Sequence, residues 1–70
     1  MPANHNMLRL ARQRRGFQQV EAAARLGVDQ SVLSRMENGV GEIRDDIVLR
    51  ASAAYGFPVS FFHQTDPVYG

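Results

Sequence analysis

QVEAAARLGVDQSVLSRMENG, residues 19–39, is the stretch whose reading decides the fold. Its first part, residues 19–26, is rich in helix formers and carries three alanines at 22–24, small enough to let a second helix cross closely. Gly27 ends that helix, since glycine readily takes the left-handed conformation that closes one, and Val28 follows as an apolar plug. Asp29 is suited to N-cap a second helix over residues 30–38, which Gly39 stops.

The second helix sorts its residues by face. Leu33 and Met36 are three apart and form an apolar stripe, while Ser31, Ser34, Arg35 and Asn38 are spaced to share the opposite side. That side is polar, short and cationic, which is what entry into a DNA major groove requires.

The longer run RRGFQQVEAAARLGVDQSVLSRMENG resembles the helix-turn-helix of the Cro and phage-repressor type, the xenobiotic-response-element family. Gly16, Gln19, Ala23, Leu26, Gly27, Val28, Ser34, Glu37, Asn38 and Gly39 fall in register with that family's pattern. Gln18 departs from it where a Ser or Thr cap is usual, and Ala22 where a leucine is usual. The resemblance implies an all-α, lambda-repressor-like fold, a compact five-helix bundle. It implies as well that Gln19 at the start of helix 2 and Asn38 after helix 3 anchor phosphates, with Gln18 counted among the DNA-binding residues. Gln30, Ser31, Ser34 and Arg35 would face base edges, with Val32 beside them in reach of a thymine methyl and Arg44 reaching backbone or minor groove. Arg12 is the position that in this family pairs with the glutamate that here is Glu37, tying helix 1 to the end of the recognition helix.

Working outward, seventy residues make one domain, and a chain of this size buries only about 60% of its unfolded surface, so a locally connected helical bundle fits. With no cysteine, a disulfide framework or cysteine-based zinc site is unavailable. No apolar run approaches the roughly 20 residues of a membrane span and no signal peptide is evident, so the expectation is a cytoplasmic protein. Net charge is only +1, but all eight basic residues are arginines and four of them (Arg9, Arg12, Arg14, Arg15) precede the first acid, Glu21. Residues 1–20 therefore carry +4, and residues 21–70, with four arginines against seven acids, carry −3. The bland reading of any one of these arginines is a solvated helix face.

Residues 1–6 lack periodicity and are expected to be a flexible arm, with Asn6 capping a first helix that stops at Gly16 before Phe17 turns into the core. The domain proper is placed at residues 7–63. Residues 40–44 form a loop, and Asp45 and Asp46 suit the N-terminus of a fourth helix running to Tyr55, with Val48, Ala51, Ser52 and Tyr55 facing inward. Gly56 and Pro58 close that helix, and residues 59–63 read as a short fifth helix or turn contributing Val59 and Phe62. Residues 64–70 are a tail. Phe61 and Phe62 can hardly both be buried in so short a segment, which suggests a partner surface, a second copy or a following domain. The end of the chain also resembles the exit of regulators whose domain of this kind precedes a zinc-peptidase-like module.

His5 and His63 lie far apart with no two-histidine metal spacing, and no phosphate loop, serine elbow or paired-carboxylate pattern occurs. The expectation is thus no enzyme, no cofactor and no metal. The partner would be double-stranded DNA, bound by a homodimeric transcriptional regulator, most simply a repressor. The competing expectation is a protein-interaction module, antitoxin-like or the regulatory head of a larger protein.

Overall fold

The computed structural model describes residues 3–65; residues 66–70 of the expected tail, with Asp66-Pro67, lie outside the described residues. Four α-helices, α1 (His5–Arg14), α2 (Gln19–Leu26), α3 (Gln30–Glu37) and α4 (Asp45–Tyr55), are followed by a 3₁₀ helix, Val59–His63. The described residues are all-helical with no strand, and the fifth element is a 3₁₀ turn of five residues.

The helices close on one apolar centre. Leu8 and Ala11 of α1, Ala22, Ala23 and Leu26 of α2, and Leu33 and Met36 of α3 meet Ile47, Val48, Ala51 and Tyr55 of α4 and Phe62. Ala22, at the position where the family pattern has leucine, is fully buried in this centre. Between α2 and α3 the chain turns in two bonds: the Val28 amide donates to the Ala23 carbonyl at 3.0 Å and the Gly27 amide to Ala24 at 3.2 Å. This closure needs a left-handed residue at Gly27, whose φ is 73°. A side chain there would also meet the Arg50 guanidinium at 3.1 Å.

Several expectations change. The first helix starts at His5 and is capped by Asn4, whose side chain accepts from the Asn6 amide at 2.8 Å; Asn6 is the second helical residue. The segment expected to be an arm is anchored from Ala3 on, because Ala3 packs against the core and the Asn4 amide donates to the Phe62 carbonyl at 2.6 Å. Asp29 occupies the N-cap position of α3 without a side-chain capping bond, and Gln18 does the same for α2. Of the two adjacent phenylalanines, Phe62 enters the core while Phe61 stays half-buried, stacked on Phe57 at 4.4 Å between ring centroids. Phe17 is half-buried, with Tyr55 on one side at 6.0 Å and the Arg25 guanidinium over its ring at 4.5 Å.

Candidate nucleic-acid interface

The site is α3 and what holds it. Its inner stripe, Leu33 and Met36, is buried, and Glu37 at its last turn is 1% exposed. A carboxylate so placed must be compensated, and it is. Arg12 donates through Nε to Oε2 at 2.7 Å and through Nη2 to Oε1 at 2.9 Å, and Gln19 adds Nε2 to Oε1 at 3.1 Å. The hydrogen bonds from Arg12 to Glu37 raise the arginine's pKa from its ordinary value, against the opposing effect of burial. Arg12 also donates to the Phe17 carbonyl at 2.9 Å, which fixes the chain between α1 and α2. The family pairing expected for Arg12 and Glu37 is therefore present, with Gln19 as a third member.

The backbone end of α3 is held as firmly. Glu37's carbonyl is one of the last of the helix, which lack partners inside it and carry negative partial charge. Arg9 Nη2 donates to it at 2.7 Å, and His5 Nδ1 lies 3.1 Å from it. Arg9 also reaches the Asn38 side-chain oxygen at 3.1 Å. His5, Arg9 and Arg12 are spaced by four and three residues, so one face of α1 presents all three to the C-terminus of α3.

The same logic disposes of two more arginines. Arg50 donates to the Leu26 carbonyl at the end of α2, and Arg15 donates to the Tyr55 carbonyl at the end of α4 with its guanidinium over Phe57. The basic N-terminal cluster is thus largely structural: of Arg9, Arg12, Arg14 and Arg15, only Arg14 has no side-chain partner among the described residues. Spacing in the sequence marks His5 and Arg9 as sharing Arg12's face, but it does not reveal that helix ends lie opposite them.

The outward face of α3 is as the spacing indicates. Gln30, Ser31, Val32 and Arg35 are exposed and Ser34 is half-buried, with Ser31, Ser34 and Arg35 on the side away from Leu33 and Met36. The Arg35 side chain has no hydrogen-bond or ion-pair partner among the described residues. Asn38 is exposed just past the helix, its amide nitrogen turned to Ser34 Oγ at 3.5 Å, a long contact. Gln18 is exposed, whereas Gln19 is half-buried with its amide on Glu37. Arg44 precedes α4 and pairs with Asp46, Nε to Oδ1 at 3.1 Å, in an exposed contact that other anions can displace. No three His, Asp or Glu side chains among the described residues converge to hold a metal ion.

A family model described as helix-turn-helix, the Cro/C1 type, matches residues 8–62, which spans α1 to the 3₁₀ helix. The chain belongs to the Cro/C1-type helix-turn-helix family. No curated protein matches it. In this helix-turn-helix, α2 and α3 are the motif, and α1 is the brace that fixes where α3 ends. Among the described residues no helix is long and apolar enough to cross a membrane.

Proposed function

We propose that this helix-turn-helix protein is a sequence-specific transcriptional regulator, a repressor, that reads the major groove of duplex DNA with α3 as a cytoplasmic homodimer and carries no enzymatic activity. One observation carries the reading. α3 is clamped at its inner stripe and its C-terminus, yet its outward face leaves Gln30, Ser31, Ser34 and an unpartnered Arg35 toward solvent. Rigid placement of a short polar helix with a free guanidinium suits direct base readout, because a guanidinium donates two hydrogen bonds to guanine O6 and N7. Gln18, Gln19 and Asn38 flank that face and are assigned to phosphates, and Arg44 can exchange Asp46 for one. A single α3 spans too few base pairs for genomic specificity, so two copies would bind half-sites about 34 Å apart.

A second reading, a protein-interaction module or the head of a longer regulator, is favoured by one feature: the net charge is +1 and Arg9, Arg12, Arg15 and Arg50 are committed inside the domain. Titration of fluorescent duplexes selected from a random pool at several salt concentrations separates the two. A regulator binds selected duplexes with an affinity that falls linearly in log–log form with salt. An interaction module binds none.

A further inference from the structure

Two apolar side chains stand exposed on either side of Arg35. Val32, 38% exposed, precedes it by three residues and shares its face of α3. Val40, 57% exposed, is eight residues beyond Val32, yet the chain folds it back. Its amide donates to the Arg35 carbonyl at 2.9 Å and the Gly39 amide donates to Met36 at 3.2 Å, a two-bond helix closure with Gly39 at φ 78°. Val32, Arg35 and Val40 line one open groove of about 720 Å³ between α3 and the loop leading to α4.

Resting on the DNA-binding reading above, we propose that Val32, Arg35 and Val40 form one reader for a base step in which thymine adjoins guanine. The occupant follows from chemistry. Arg35 is a free bidentate donor, which matches the paired O6 and N7 acceptors of guanine. Valines cannot satisfy the polar edge of a base, but they suit the C5-methyl group that thymine alone among the ordinary bases presents in the major groove. Asp29 and Glu42 also line the groove, where their charges offset those of Arg35 and Arg44. The reader is built from two helix residues and a loop residue held together by backbone bonds, so its two apolar walls are positioned before DNA arrives.

The test uses the full chain and the best duplex from a random pool, followed by fluorescence anisotropy. Each thymine is replaced singly by deoxyuridine, which removes only the methyl group. One thymine per half-site, next to a guanine, loses affinity roughly fourfold on demethylation, the effect of one buried methyl. The Val32→Ala/Val40→Ala variant, both positions being exposed, keeps its fold by circular dichroism. It binds the thymine and deoxyuridine duplexes equally, at the level of wild type on deoxyuridine. Equal wild-type affinity for thymine and deoxyuridine at every position overturns the proposal while leaving DNA binding intact. So does discrimination that survives in the double variant. Absence of binding to every duplex overturns both this proposal and the reading beneath it.

Discussion

Arg12 of α1 and Glu37 of α3 meet through two parallel hydrogen bonds, at 2.7 and 2.9 Å, with the glutamate 1% exposed and the arginine largely covered. The geometry matches the planar fork of a guanidinium to both carboxylate oxygens, which a lysine would not reproduce. Glu37 is also the residue whose carbonyl receives Arg9, so a single position fastens α3 to α1 through side chain and backbone together.

Removing one partner leaves the other charge buried without compensation. Arg12→Ala and Glu37→Ala are each expected to destabilise the domain by about 3–5 kcal/mol, whereas the double variant costs clearly less than the two singles combined. Urea unfolding followed by circular dichroism, with an osmolyte added for the weaker variants, measures the coupling. Additive losses would mean that the two side chains act independently.

Gly39 tests the other end of the clamp. At φ 78° an alanine is strained, and its Cβ would lie 3.1 Å from His5 Nε2. Gly39→Ala is therefore expected to cost at least about 1 kcal/mol from backbone conformation alone, plus the displacement of His5 from the Glu37 carbonyl. In a His5→Ala background the loss on Gly39→Ala should shrink toward the backbone part. A thermal-melt double-mutant cycle that finds the same loss in both backgrounds would show that the His5 ring yields freely.

Tyr55 governs the alkaline limit. Its hydroxyl is buried without a hydrogen-bond partner among the described residues, and burial, reinforced by the charge of Glu37, pushes its pKa up to about 12. The unfolded chain ionises this group near 10, so the stabilisation is complete below pH 10 and is lost as pH rises through about 12. With no lysine or cysteine, Tyr55 and Tyr69 are the only side chains whose ordinary pKa falls near 10. Urea titrations from pH 8 to 11.5 should show stability falling in wild type. In Tyr55→Phe the fall should be largely absent, and stability at neutral pH equal or higher, since no hydrogen bond is lost.

What the sequence made legible was whatever depends on neighbours in the chain. The turn at Gly27, the inner stripe of Leu33 and Met36, the stop at Gly56 and the outward face of α3 all follow from spacing and from the one residue able to adopt positive φ. What depends on distant partners was hidden. Asn4 and Asn6 are equally competent caps, and the choice of Asn4 goes with the bond from its amide to Phe62, 58 residues away. The arginines at 9, 15 and 50 read as solvated or DNA-facing until the ends of α3, α4 and α2 are placed against them. The resemblance supplied the Arg12–Glu37 pair, but spacing alone could not show that Gln19 joins it.

That last contact sharpens the distinction between reading and anchoring. The Arg35 side chain is exposed, without a partner among the described residues and one turn beyond Ser31 on α3, so nothing in the fold is lost when it is shortened. Arg35→Ala should leave stability within about 0.5 kcal/mol of wild type, cost about 1–3 kcal/mol on the best duplex, and relax preference at one base position. Gln19 differs because its amide donates to the buried Glu37 carboxylate. Gln19→Ala should lower stability by about 1–2 kcal/mol and weaken every duplex by a similar factor, as expected for a residue that contacts backbone and supports the clamp. Affinities of both variants for a panel of single-base-changed duplexes, set beside their urea midpoints, check the pair of expectations. If Arg35→Ala lowers affinity uniformly across the panel, Arg35 is a phosphate contact, and base reading falls to Gln30 and Ser31.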